Sequence, residues 1–314
     1  MELSQVTSCA QKIIESIETV IVGKHEAVAM TVAGFLSGGH ILIEDIPGVG
    51  KTMLARTLAK SVGGSFKRVQ FTPDLLPADV TGSSVFNQVE GCFIFREGPV
   101  FANVVLADEI NRATPKSQAA MLEAMEEFQV TADGVTYELP RPFFVMATEN
   151  PIEYEGTYQL PEAQLDRFVM RVSLGYPSAK DEVEILTRQI KHHPIEDVTP
   201  VLEEGQAAKL QESVRGVFLE ESLKEYIVAL VNRTRENPDL ELGASPRGSL
   251  ALMRCSQAVA AVSGRDYVQP DDIKRVAVEC LAHRMIVKSE QSIHGLRATQ
   301  IVEEILRSVP APTD

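Results

Sequence analysis

The chain has 314 residues, 44% of them hydrophobic and 24% charged, enough to bury one large core or two moderate ones, so two domains are expected. Lys and Arg number 30 against 44 Asp and Glu, a net charge of −14; with no Lys/Arg block, this argues against dedicated nucleic-acid binding, which calls for a basic stripe. The start Met1-Glu2-Leu3-Ser4-Gln5 lacks the basic flank and apolar core of a signal peptide, and no apolar stretch approaches the roughly 18 residues of a membrane span. No membrane span and a cytoplasmic location are therefore expected.

Residues about 5–20 read as an amphipathic helix and about 25–37 as a second. The apolar run from Ile41 to Ile46 then enters Pro47-Gly48-Val49-Gly50-Lys51-Thr52-Met53, a strand running through a glycine-rich turn into a helix. This is the pattern of a phosphate-binding loop. Gly48 and Gly50 allow backbone N–H groups to turn inward around a phosphate, and the N-terminus of the next helix adds its positive dipole end. Lys51 would reach the β- and γ-phosphates of ATP, and the Thr52 hydroxyl would sit on Mg²⁺. Asp45 stands where the general pattern G-x-x-x-x-G-K-[ST] has its first glycine.

A strand is expected near Lys67–Phe71, beginning an α/β alternation with a parallel sheet. Residues 84–95 alternate around Glu90-Gly91 as a hairpin would, and residues 129–137 do so around Asp133-Gly134. Projecting hairpins suit a partner- or pore-facing role, and edge strands of the core sheet are the alternative. Between them lies Val104-Val105-Leu106-Ala107-Asp108-Glu109, an apolar strand ending in two acids. Asp108 would hold Mg²⁺ through its water shell, and Glu109 could orient and deprotonate an attacking water. Residues 117–127 carry apolar side chains at helical spacing, with Met121 and Met125 as core. Another apolar strand, from Pro142, ends at Asn150-Pro151, where Asn150 is placed to meet a γ-phosphate; an ordinary turn is the alternative.

After Tyr176-Pro177 the character changes to charged helices: 179–190, 204–215, 219–236, 249–262, 270–284 and about 299–308. Cys9, Cys92, Cys255 and Cys280 form no Cys-x-x-Cys pair and read as reduced structural thiols. His192, His193 and His283 have no metal-ligand spacing and read as surface or lid residues.

These segments, with residues 68–82, 95–101, 107–113, 160–168, 243–247 and 264–273, closely resemble the MoxR family of AAA+ ATPases over nearly the whole chain. The family often lacks the first P-loop glycine. The resemblance implies an α/β fold, a P-loop AAA+ parallel sheet flanked by helices and followed by a smaller all-α lid. The corresponding boundaries are 1–176 for the nucleotide core with its hairpin insertions, 177–200 for a hinge and connection, and 201–314 for the lid. Lys51 and Thr52 match the Walker A pair, Asp108 and Glu109 the Walker B pair, and Asn150 sensor 1. Arg167, in Leu165-Asp166-Arg167-Phe168, matches an arginine finger reaching a neighbour's γ-phosphate. Arg247 matches sensor 2, closing on the phosphates of its own subunit. Val22 and Gly23, with Lys24, lie where related ATPases contact adenine. A hexameric ring and a von Willebrand factor A-domain partner or other client protein are implied.

Both arginines also make physical sense alone, since a guanidinium fork can neutralise charge spread over a transferring phosphoryl group. Arg167 could instead pair with surface acids. Arg247 follows Pro246 at an expected helix start, where a cation is unfavourable unless an anion is nearby, which points to a phosphate partner. Two rivals to an ATP-driven remodelling machine remain: a nucleotide-gated assembly switch with little turnover, and a P-loop small-molecule kinase. The switch has no need of Glu109, and the kinase has no use for Arg167 in trans.

Overall fold

A computed structural model describes residues 1–150 and 157–312. Pro151, part of the turn expected after Asn150, and the last two residues lie outside the described residues.

The N-terminal helix α1 (Leu3–Glu18) buries Val6, Cys9, Ala10, Ile13, Ile14 and Ile17, the single stripe its periodicity predicts. α2 (His25–Leu36) is buried along nearly its whole length from Val28 onward. There follow β1 (His40–Glu44), α3 (Lys51–Ser61), β2 (Phe66–Gln70), the short α4 (Pro77–Thr81), β3 (Gly82–Asn87), β4 (Cys92–Glu97) and β5 (Val104–Asp108). Next come α5 (Pro115–Glu127), β6 (Gln129–Ala132), β7 (Val135–Glu138), β8 (Phe144–Glu149), α6 (Glu162–Leu165) and β9 (Phe168–Val172). Five of these strands form one sheet in the order β2-β5-β8-β1-β9, with every neighbouring pair parallel. Helices cover both faces, which is why β1, β5 and β8 carry continuous apolar runs with their polar residues at the ends rather than alternating.

The edge strand β9 is not evident from sequence because Arg171 interrupts its apolar run. In the fold that guanidinium pairs with Glu44 on the adjacent strand, 2.5 Å away. Both expected hairpins form. β3–β4 and β6–β7 are separate two-stranded ladders rather than edges of the central sheet. Asp133 and Gly134 both take positive φ, as a tight hairpin turn requires. The stacked rings of Phe95 and Tyr137, 4.0 Å apart, tie the two hairpins together. Beyond that contact the first hairpin points apolar groups outward: Val89 is 95% exposed and Phe93 71%.

The C-terminal part contains α7 (Ala179–Arg188), α8 (Gln206–Arg215), α9 (Glu221–Glu236), β10 (Leu240–Leu242), α10 (Pro246–Val262), α11 (Pro270–Leu281), β11 (Ile286–Val287), α12 (Ser289–Ile293) and α13 (Ala298–Ser308). Among the described residues its strands are only the small antiparallel pair β10–β11, three and two residues long and too short for a periodicity reading to find. These helices are continuous with the first core. α1 and α2 pack against α8 and α10, burying Ile13, Phe35, Leu210 and Leu252 in one cluster, and the Thr7 hydroxyl donates to the Ala261 carbonyl at 2.9 Å.

The helical part is latched to the start of β9 by Arg284, which is 5% exposed. Its Nε donates to Asp166 Oδ1 at 2.9 Å, and its Nη2 to the Asp166 and Phe168 carbonyls at 3.2 and 2.5 Å. Ser245 Oγ donates to the other Asp166 oxygen at 2.7 Å. His283, expected as a surface or lid residue, is buried in the lid, with its ring Nε2 3.1 Å from the Phe168 carbonyl. Replacing Arg284 with Met removes the cation and leaves a carboxylate and several carbonyls without their donor. The expected loss is about 3–5 kcal/mol of stability, read from the midpoint of a urea or guanidinium titration.

Candidate nucleotide site

β1, β8 and β5 are adjacent and parallel, so their carboxyl ends line one edge of the sheet. That edge carries the loop 45–50, Asn150 immediately after β8, and Asp108 and Glu109 at the end of β5. Ligands of open α/β sheets bind at such an edge.

Gly48 and Gly50 take φ of 86° and 97°, and a Cβ at Gly48 would meet nothing within 4 Å. The loop is therefore an open cradle whose shape depends on these two glycines. Lys51 and Thr52 begin α3, and Pro47 and Gly48 are exposed. Lys51 Nζ donates to the Asp45 carbonyl at 2.6 Å. Burial lowers its pKa, while the negative charges of Asp45, Asp108 and Glu109 pull the other way.

Asp108 is 9% exposed, and Arg68 donates twice to its Oδ2, from Nε at 2.9 Å and Nη2 at 2.6 Å. Thr148 Oγ donates to Asp108 Oδ1 at 2.7 Å and accepts the Glu109 N–H at 2.8 Å. One buried hydroxyl thus fixes both acids. Glu109 has φ 55° and ψ 50°, a left-handed conformation rare for a non-glycine residue, and such strain persists only where the surroundings impose it. Its carboxylate accepts from Gln70 Nε2 at 2.8 Å and Arg112 Nη1 at 3.0 Å. Arg68 and Gln70 lie two apart on β2, on the same face, and together engage both acids. Sequence reasoning quoted them only within a motif. Their partners become visible once β2 pairs with β5, which sets Arg68 beside Leu106 and Gln70 beside Asp108.

The oxygens of Thr52 and Asp108 suit Mg²⁺, a hard cation commonly held by one or two protein oxygens plus substrate phosphates. No cluster of three or more His, Cys, Asp or Glu able to hold a metal occurs among the described residues, which fits that mode rather than an all-protein cage. Arg68, bonded to Asp108 Oδ2, would compete with a cation held there. Arg68→Ala is expected to raise the Mg²⁺ affinity of the nucleotide-bound protein about threefold to tenfold, a discounted value because the guanidinium is half exposed. Titrating Mg²⁺ against a fluorescent nucleotide measures this without turnover.

The segment just before Val22 and Gly23 approaches the P-loop: the Ile21 side chain lies 3.7 Å from where a Gly50 Cβ would be. Gly23 has φ 72°, and a Cβ there would fall 2.2 Å from the Asp181 carboxyl carbon at the start of α7, so glycine is required. Lys24 Nζ donates to the Tyr176 carbonyl at 2.6 Å. Burial and the neighbouring Glu44 push the Glu149 carboxyl, beside Asn150, up to about 7.

Arg167 and Arg247 stand elsewhere. Arg167 precedes Phe168, which pairs with His40 at the amino end of β1, whereas the P-loop leaves its carboxyl end. Five strand residues separate the two positions, roughly 15 Å. Arg167 Nη2 lies 2.9 Å from Glu126 Oε2, and Arg247 pairs with Glu126 Oε1. Arg247, expected to close on its own chain's phosphates, is held here on Glu126, away from its own P-loop. α10 begins at Pro246, and the Ser245–Asp166 bond holds that helix start beside Arg167. The anion that a cation at a helix start requires is Glu126. His40 braces the same corner: its Nε2 lies 3.0 Å from the Met125 carbonyl, and its Nδ1 accepts the Val145 N–H at 3.0 Å. Only the neutral ring satisfies both bonds, in keeping with burial lowering its pKa to about 4. The surrounding cavity, about 390 Å³, is lined by Arg167, Arg215, Arg247, Arg254 and Arg284 with only Glu126 and Asp166 opposing them. It is cationic in a chain of net charge −14.

A parallel sheet bearing a P-loop, a two-acid strand end and a helical lid define an ATPase module of the AAA+ class. The comparisons agree. Residues 40–170 match the profile of the ATPase family associated with various cellular activities, and 232–305 match the AAA lid domain. The chain is 40% identical to chaperone MoxR1 of Mycobacterium tuberculosis over 96% of this chain and 82% of that protein. It is 53% identical to the uncharacterized protein YeaC of Bacillus subtilis, covering 96% and 94% of the two chains. A crystal structure from Cytophaga hutchinsonii, provisionally described as an ATPase, superposes with a TM-score of 0.92 at 40% identity over 99% of this chain and 97% of that one. The chain belongs to the MoxR family of AAA+ ATPases.

Proposed function

We propose that the protein hydrolyses ATP at sites shared between copies in a ring, and uses the resulting movement to remodel or mature client proteins or metal-containing complexes. The observation that carries this reading is the separation of the two half-sites. Lys51, Asp108, Glu109 and Asn150 gather at one edge of the sheet, while Arg167 and Arg247 point from the opposite edge, joined on Glu126. Arginines that lie a strand's length from their own P-loop favour delivery to another copy. Such head-to-tail contacts close into a ring, with six copies proposed from the family.

In this site the backbone of 48–51 holds the phosphates, with Lys51 leaving the Asp45 carbonyl for them. Thr52 and Asp108 would hold Mg²⁺, which would supply neutralisation of charge on the phosphates. Val22 and Gly23 flank the base. Glu109, released from Gln70 and Arg112, accepts a proton from the attacking water, and Asn150 helps to place that water. The neighbour's Arg167 and Arg247, released from Glu126, neutralise charge developing on the γ-phosphoryl oxygens. The gathering of acids on the P-loop edge and of arginines on the other supports this pairing of unlike edges.

Remodelling of a client is supported by the chaperone name of the Mycobacterium tuberculosis relative. A von Willebrand factor A-domain protein is the partner class proposed from the family, and the exposed apolar tip of β3–β4 is a surface a client could meet. The test is phosphate release from ATP and Mg²⁺ as protein concentration is raised. A specific rate that climbs toward a plateau supports shared sites. A measurable but flat rate favours the kinase rival, and no rate in an assembled protein favours the switch.

A further inference from the structure

Asp45 departs from the general P-loop pattern, and its surroundings give it a task. It is 6% exposed. Its Oδ2 accepts three hydrogen bonds from the segment leaving β9: the Leu174 N–H at 2.6 Å, the Gly175 N–H at 2.7 Å and Ser173 Oγ at 3.1 Å. Its Oδ1 accepts the Ile46 N–H at 3.0 Å. Gly175 takes φ 63°, and the two successive N–H groups bonded to one carboxylate oxygen form a small anion nest of the kind that elsewhere holds phosphates. The same residue donates its backbone N–H to the Glu149 carbonyl at 3.3 Å and receives Lys51 Nζ on its own carbonyl at 2.6 Å.

Asp45 therefore touches four parts of the site at once: the phosphate loop, the phosphate-binding lysine, the strand end beside Asn150, and the exit of β9. From that exit the chain passes through Tyr176, whose carbonyl accepts from Lys24, into α7 and on to the lid. A glycine at position 45 could make the turn but could not hold the linker. We propose that Asp45 is a positioning residue that couples occupancy of the phosphate loop to the linker carrying the lid. When phosphates draw Lys51 off the Asp45 carbonyl, the peptide that bears both the carbonyl and the carboxylate shifts, and the carboxylate carries the shift to Leu174 and Gly175. The lid in turn holds Arg247 and, through Arg284 and Asp166, the start of β9 beside Arg167. Asp45 thus links loading at one edge of the subunit to presentation of arginines at the other, and this inference rests on the shared-site reading above.

The substitution Asp45→Gly gives a sharp test because it restores the general pattern G-x-x-x-x-G-K-[ST] and removes only the tether. ATP affinity is expected to stay within about threefold of wild type, while kcat falls about tenfold, the scale of losing charged hydrogen bonds that position rather than bind. Hydrogen exchange of the full chain, with the Glu109→Gln change added so that ATP persists, supplies a readout independent of turnover. With Asp45 present, ATP slows exchange across residues 172–180. In Asp45→Gly these amides exchange about tenfold faster and no longer respond to ATP, with other segments unchanged. Asp45→Asn, which keeps an acceptor but places an N–H₂ among donors, falls between. Wild-type kcat with an intact response of 172–180 in Asp45→Gly would overturn the proposal. So would faster exchange throughout the chain with a parallel loss of ATP affinity, which would make Asp45 a general structural anchor. If the wild type hydrolyses no ATP, the enzyme reading fails on its own, and the exchange response still decides the coupling.

Discussion

Glu109→Gln is expected to lower ATP turnover by about 10²–10⁴-fold while the protein still binds ATP and Mg²⁺. The amide cannot accept a proton from water, yet it keeps the size and one acceptor of the carboxylate. The metal and phosphate contacts proposed above rest on Asp108, Thr52 and Lys51, which the change does not touch. In the structure Glu109 spends its charge on Gln70 and Arg112, so the side chain must turn from those partners before it can act. The left-handed backbone at 109 is fixed by the Thr148 hydroxyl and by the N–H of Arg112 on the Glu109 carbonyl, neither of which the change removes. Single-turnover phosphate release and equilibrium binding of labelled ATP separate the two effects. Loss of binding together with rate would assign Glu109 to the fold of the site rather than to the chemistry.

Arg167→Ala is expected to cost about 10³–10⁵-fold in turnover, the range for an arginine supplied to a phosphoryl-transfer site by a neighbour. Its ATP affinity as a dilute, unassembled chain is expected to be unchanged, because the guanidinium lies a strand's length from Lys51 in its own subunit. Arg247→Ala is expected to follow the same pattern with a smaller loss. The two share one carboxylate, Glu126, and Glu126 has its pKa lowered chiefly by its bond to Arg247. Glu126 holds the arginines in place while no phosphate is present, so removing it should loosen their presentation rather than abolish it. A fall in monomer ATP affinity with either arginine variant would argue for action within one chain.

How much of this was legible in the sequence follows from the kind of constraint each residue obeys. The P-loop, the strand ending at Asp108 and the helices from Ala179 onward rest on local patterns, and the structure matches them to within a few residues. α7 runs Ala179–Arg188 where 179–190 is expected, and α9 runs Glu221–Glu236 where 219–236 is expected. The contacts that tune the site are long-range and leave no local trace. Arg68 meets Asp108 only because β2 pairs with β5, and Asp45 meets Leu174 and Gly175 only because β9 closes the sheet beside β1. Arg247 shows the limit most clearly. Its helix-start position points to a phosphate, whereas the anion beside it in the fold is Glu126, and that depends on where Asp166, Ser245 and Arg284 dock the lid through bonds 79 and 118 residues apart in sequence.

The most direct test of the central claim mixes two inactive proteins. Arg167→Ala keeps Glu109, Glu109→Gln keeps Arg167, and in a mixed assembly each can complete what the other lacks. With equal amounts and random order, about one quarter of the head-to-tail contacts would pair an intact Glu109 with an intact Arg167. The account predicts ATPase activity approaching that fraction of the wild-type rate on mixing, from two proteins inactive alone. No recovery, with assembly of the mixture confirmed by sedimentation, would mean that each chain holds a complete site and would contradict the account.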